Sequence, residues 1–108
     1  MGKFVISTRS NGEYQFNLKA DNGQVILTSE GYKAKDSCLN GVESVKKNSG
    51  NDDRYERKEA KNGKHYFNLK ASNGQVIGSS QMYEGESGME NGIDSVKRNA
   101  PSASVSED

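Results

Sequence analysis

The chain has 108 residues, with 15 basic side chains against 15 acidic ones, 31% apolar residues and a single cysteine. That length supports one small domain, and the balanced charge argues against a protein held mainly by its overall field to phosphates or anionic lipid. One cysteine excludes an internal disulfide and a cysteine metal cage. No apolar run approaches bilayer length, and the opening Met1-Gly2-Lys3-Phe4-Val5-Ile6-Ser7 is too weakly apolar for a signal peptide. A protein of the reducing cytoplasm with no membrane partner is therefore expected.

The chain is an internal repeat. Gly12-Glu13-Tyr14-Gln15-Phe16-Asn17-Leu18-Lys19-Ala20 falls without a gap on Gly63-Lys64-His65-Tyr66-Phe67-Asn68-Leu69-Lys70-Ala71, an offset of 51 residues. The same offset carries Asn22-Gly23-Gln24-Val25-Ile26 onto Asn73-Gly74-Gln75-Val76-Ile77, Tyr32 onto Tyr83 and Asn40-Gly41 onto Asn91-Gly92. About twenty identities spread over the unit mark a duplication.

The elements of each copy can be taken in chain order. A first strand is predicted over 3–9, with Phe4 and Ile6 turned inward, and Asn11-Gly12 predicts a type I′ hairpin turn with two positive-φ residues. In the next strand Tyr14, Phe16, Leu18 and Ala20 alternate with Glu13, Gln15, Asn17 and Lys19, so the first set faces a core and the second faces water. Asn22-Gly23 predicts a second hairpin, and a third strand follows over 24–30. The period then becomes helical, with Ala34, Cys38, Val42 and Val45 on one stripe. Asp36 or Ser37 is the expected N-cap, Lys46 and Lys47 suit the C-terminal dipole, and Asn48 is the expected left-handed cap. Gly41 in a helix interior implies close packing against the sheet.

Residues 49–53 read as a polar linker, after which the elements recur. Strands are predicted over 54–60 and 75–81, His65, Phe67, Leu69 and Ala71 face inward, and a helix carries Met89, Ile93 and Val96. Ser87 is its expected N-cap and Asn99 its left-handed cap. Residues 101–108 have nothing to bury and are expected to be a mobile end. The predicted fold class is α+β: two tandem βββα repeats (3–49 and 54–100) with pseudo-twofold symmetry within one domain over 1–100. They form one antiparallel-rich sheet with two helices on one face. A unit of about fifty residues is marginal alone, so the two copies complete each other. Whether strands exchange between copies is left open.

The duplicated Phe-Asn-Leu-Lys-Ala-x-Asn-Gly-Gln-Val-Ile block is followed by Ser-x-x-Tyr and a helix bearing Asn-Gly-[Val/Ile]-x-Ser-Val-Lys-x-Asn. This pattern resembles the YegP-like family of small bacterial tandem-repeat proteins over about residues 3–100. The resemblance implies a three-strand-plus-helix unit assembled in pairs around one sheet. It also implies a bacterial source and no established function, and it carries over no catalytic residues. One departure is Arg57 at the position equivalent to Ile6, which leaves the burial of that strand open.

The chemical candidates are few. His65, a lone histidine without partners for a triad or a usual zinc site, reads as structural, and Cys38 reads as a small buried hydrophobe. Glu43 and Asp94 keep an acid in both copies but lie on different helices, which is a poor arrangement for paired-carboxylate chemistry. No phosphate-loop motif, metal set or cofactor signature is present, so no enzyme is expected. Tyr32 and Tyr83 read as corner packing with the phenol tip in water. The informative set is the polar strand face, where Asn17, Lys19, Asn68 and Lys70 repeat between copies. With Gln15, Lys64 and Tyr66 they form the candidate binding face. A binding or interaction module using that face, or an edge strand that pairs with a protein or peptide, is the leading expectation. Weak RNA or single-stranded nucleic-acid binding on the face is the alternative. Arg54, Arg57, Lys58 and Lys61 offer edge protection against aggregation, and the paired copies predict a monomer.

Overall fold

A computed structural model describes residues 2–107. β1 (Lys3–Thr8), β2 (Tyr14–Lys19) and β3 (Val25–Thr28) form a meander and lead to helix α1 (Lys35–Asn48). After a 3-10 turn over Asp52–Arg54 the pattern recurs as β4 (Tyr55–Glu59), β5 (His65–Lys70), β6 (Val76–Ser79) and α2 (Glu86–Asn99). A second 3-10 turn, Ala100–Ser102, leads to β7 (Ser104–Glu107). The strands make one sheet in the order β4-β5-β6-β3-β2-β1-β7, so each meander stays intact and no strand is exchanged between copies. Both helices pack on the face where the alternating apolar residues point. The two repeats share one core there, including Phe4, Phe16, Leu18, Val42 and Val45 of the first and Phe67, Leu69, Ile93 and Val96 of the second. Burial of each such side chain contributes about 1.5–3 kcal/mol.

Within the sheet the repeats join between β3 and β6, at the bridge Thr28↔Ser79. These two residues are 51 positions apart, so each pairs with its own counterpart and the pseudo-twofold axis passes between them. Beneath the axis the symmetry breaks. Leu27 is fully buried, and a Cβ on its counterpart Gly78 would lie 2.7 Å from Leu27 Cγ. Two leucines could not share this space, so one copy supplies the side chain and the other the room for it.

The turns differ from the predicted type I′ geometry. Only Gly12, Gly23, Gly63 and Gly74 have positive φ among the described residues, whereas both central residues of a type I′ turn need it. Gly12 N–H donates to Arg9 O at 2.9 Å and Arg9 N–H to Glu13 O at 2.7 Å, a type I turn closed by a left-handed glycine bulge. The asparagine remains right-handed because its side chain has another task. Asn11 Oδ1 accepts from Glu13 N–H at 3.0 Å, and Asn22, Asn62 and Asn73 do the same in their own turns.

The helix ends also correct the sequence reading. Ala34 and Gly85 occupy the N-cap positions without side-chain capping bonds, instead of Asp36, Ser37 or Ser87. Asn48 and Asn99 are not left-handed caps. They end the helices in right-handed conformation, and their amides donate back to Ser44 O and Ser95 O, both at 2.8 Å. Each thereby adds a side-chain bond to a carbonyl in the last turn of its own helix. Gly41 does mark a close approach, but the neighbour is a tyrosine. A Cβ there would lie 2.4 Å from Tyr32 Oη, and one on Gly92 would lie 2.3 Å from Tyr83 Oη. The phenols expected in water thus lie against the helices, with their rings stacked on Phe16 and Phe67.

The end expected to be mobile forms β7 over its described part, parallel to β1, with Phe4 opposite Val105 and Ile6 opposite Glu107. It does find something to bury, since Ala103 enters the core after Ala100 and positions the strand. β7 covers the β1 edge and adds a seventh strand to the predicted six. The β4 edge has no such cover, because the segment after α1 is β4 itself.

A candidate binding face on the sheet

The face away from the helices carries the outward half of each strand's alternation. Strand register places Ser106, Val5, Asn17, Thr28, Ser79, Asn68 and Glu56 directly opposite one another, in one row across all seven strands. The row is symmetric by position but not by bonding. In the second repeat Ser79 Oγ donates to Asn68 Oδ1 at 2.6 Å, and Asn68 Nδ2 donates to Glu56 Oε1 at 3.0 Å. Lys70 Nζ reaches Glu56 Oε2 at 3.1 Å. The Asn68 hydrogen bond, followed by that from Lys70, holds the Glu56 carboxyl below the usual carboxylate range.

The first repeat has Val5 where the second has Glu56, so this chain of bonds cannot form. Asn17 and Lys19 therefore have no side-chain partner among the described residues. Lys19 sits directly opposite Lys3, a like-charge cross-strand pair that costs stability unless an anion lies between the two. Gln15 is engaged, accepting from Arg9 Nε at 2.7 Å.

The structure thus brings Gln15, Asn17, Lys19, Tyr66, Asn68 and Lys70 onto one face. Lys64 is drawn aside at the hairpin end, 3.5 Å from Glu84. Register adds four further members, Lys3, Thr28, Glu56 and Ser79. The repeat offset alone could have flagged Glu56, since it pairs that residue with Val5. A shallow groove of about 300 Å³ follows the pseudo-twofold axis beside Thr28 and Ser79, with Val25 and Val76 on its flanks and Glu30 and Gln81 at its rim.

The remaining chemical candidates lie elsewhere. Cys38 is fully buried, and desolvation pushes its thiol up. His65 faces the helix side at the base of the second hairpin, half-buried. No group of three His, Cys, Asp or Glu side chains suited to a metal occurs among the described residues. The departure at Arg57 resolves into an ion-pair clamp. Ile6 and Leu39 belong to the apolar packing of the first repeat, and their counterparts Arg57 and Glu90 form a bidentate pair at 2.5 and 3.0 Å. Arg57 also meets Asp52 at 3.1 Å, and Lys97 meets Asp52 at 2.8 Å.

The model of a domain of unknown function, DUF1508, matches residues 10–56 and 60–107, one match per repeat. A UPF0339 protein encoded in the 5′ region of the ptx operon of Stutzerimonas stutzeri is 58% identical over 106 residues, covering 98% of this chain and 96% of that protein. The UPF0339 protein YegP of Escherichia coli K12 is 53% identical over 104 residues, covering 96% and 94%. The solution NMR structure of the E. coli protein yegP, described as of unknown function, superposes with a TM-score of 0.94. It is 51% identical, with 99% of this chain and 92% of that one covered. The NMR structure of a UPF0339 protein from Shewanella oneidensis gives 0.93 at 48% identity, covering 98% and 90%.

Proposed function

The chain belongs to the DUF1508 family, whose function is not established, and on that footing we propose that it is a non-catalytic binding module working through the first-repeat half of the open sheet face. The observation that carries this is the contrast between the halves. Asn68 and Lys70 are held by Glu56, whereas Asn17 and Lys19, the same residues one repeat earlier, lie partly exposed without a side-chain partner among the described residues. A repeated polar pair that performs structural work in one copy and none in the other is available for a ligand. The absence of an enzyme is part of the proposal: the face presents amides, hydroxyls and lysines, with no nucleophile beside a base. A cytoplasmic location belongs to it as well, and no helix among the described residues is long and apolar enough to cross a membrane. So does a monomer, because the second repeat already occupies the place a partner copy would take.

The experiment is retention from a bacterial lysate, compared between the wild type, an Asn17→Ala/Lys19→Ala variant and a helix-face control, Glu43→Ala/Lys47→Ala. The expected result is loss with the sheet-face variant alone. Retention that survives there and disappears with the control would place the working surface on the helices. Light scattering is expected to give the monomer mass at micromolar concentration.

A further inference from the structure

Charge is unevenly placed on the open face, although the chain as a whole is neutral. β2 and β5 run antiparallel because three antiparallel pairings separate them, so Lys19 and Tyr66 lie on the same side of the polar row. Register then continues that side to Lys3 opposite Lys19 at one end and Lys58 opposite Tyr66 at the other. The line runs Lys3, Lys19, Val25, then Tyr66 and Lys58, with neutral Gln81 beside Val25 at the groove rim.

Comparison of the repeats shows how this line diverged. Relative to the first copy, Lys58 replaces Ser7, Tyr66 replaces Gln15 and Gln81 replaces Glu30, and each change makes the line more basic, more aromatic or less acidic. The opposite side of the row did not gain these changes. There Glu30 keeps its charge, and Glu56, the acid within the row, bonds to Lys70.

We propose that this lysine–tyrosine line binds a single-stranded nucleic acid, an inference that rests on the open-face reading above. Five strand steps separate Lys3 from Lys58, about 24 Å at the usual inter-strand spacing. A free phosphate or a mononucleotide cannot reach both ends, whereas a phosphodiester chain of several units can. The lysines meet phosphates, Tyr66 offers a ring on which an unstacked base can lie, and Asn17, Thr28 and Ser79 present amide and hydroxyl groups to base edges. Glu56 lies close enough to Lys58 to feel its charge, but its oxygens are taken by Asn68 and Lys70.

The test is fluorescence anisotropy with a labelled twelve-nucleotide oligo-U, read against salt. Three phosphate contacts predict a log–log salt slope of about −2, roughly a 15-fold loss between 50 and 200 mM. The Lys3→Gln/Lys19→Gln/Lys58→Gln variant, shown to be folded by circular dichroism, is expected to lose at least tenfold and flatten that slope. Tyr66→Ala is expected to lose about tenfold with the slope unchanged. Lys47→Gln/Arg98→Gln, on the helices, is expected to leave both intact. No oligo-U binding at 50 mM salt, equal loss in the helix variant, or equal affinity for poly-glutamate of the same length would overturn the proposal. A partner that survives nuclease and depends on Asn17 would sink this inference while leaving the binding-module reading in place.

Discussion

Alanine is a better helix residue than glycine by about 1 kcal/mol, yet Gly41 and Gly92 should not follow that ordering. Each lies under a tyrosine phenol, with Tyr32 Oη and Tyr83 Oη within 2.4 and 2.3 Å of where a Cβ would stand. Gly41→Ala is therefore expected to destabilise by about 1–3 kcal/mol in urea unfolding, because the ring must leave its stack on Phe16. Tyr32→Phe should rescue part of this loss, since it removes the nearest atom but leaves the ring carbon at 2.9 Å. If Gly41→Ala is neutral or stabilising, the glycine is not there to make room for the phenol. The same reasoning separates Tyr55 from Phe4. The Tyr55 hydroxyl donates to Ser49 O at 2.7 Å, and burial pushes its pKa above the usual tyrosine value, so its ionised form plays no part in the neutral-pH fold.

Between elements, the joint of the two repeats depends on one leucine filling one glycine's space. Leu27→Gly removes a fully buried side chain and is expected to cost about 3 kcal/mol or more. Gly78→Leu forces a second side chain onto Leu27 and is expected to cost about 1–3 kcal/mol. Because the two positions are related by the pseudo-twofold axis, the exchanged pair Leu27→Gly/Gly78→Leu should recover at least half of the summed loss. A double-mutant cycle checks this, and simple additivity would show that the sites do not share a space. At the sheet edge, truncation after Ala103 removes β7 and uncovers β1. The expected result is a lower Tm together with faster exchange at the β1 amides that faced β7, with α2 unchanged in amide exchange. Unaltered β1 protection would mean that β7 contributes no cover in solution.

Over the whole molecule, the exposed ion pairs set the response to acid. Asp52 is held below its ordinary value by hydrogen bonds from Lys97 and Arg57, Glu56 by Asn68 and Lys70, and Glu90 by Arg57. Their folded-state pKa values are depressed, so their contribution is complete above about pH 4.5, and it is lost as pH falls through the lowered values. These pairs are solvent-exposed and individually small, so the expected change is a gradual decline of Tm below that pH. Glu90→Gln should lower Tm slightly at pH 7 and reduce the acid-dependent decline, as read by thermal scans from pH 7 to 3. An equal decline in the variant would remove Glu90 from the account.

Local patterning carried much of this protein. The 51-residue repeat, the alternation around Phe16 and Phe67, and the helical stripes through Val42 and Ile93 follow from short-range periodicity, and they fixed the repeat unit and the outward set Gln15, Asn17, Lys19, Tyr66, Asn68 and Lys70. Tertiary structure decided what depends on residues distant in the chain. Residues after Pro101 become a strand because β1, about a hundred positions earlier, offers an edge. The face is uneven because Glu56 and Lys58 of β4 stand opposite Asn68 and Tyr66, whereas Val5 of β1 stands opposite Asn17, relations set by register that no single segment contains. Periodicity tells a residue which side it faces. Only pairing across strands tells it which charge stands beside it.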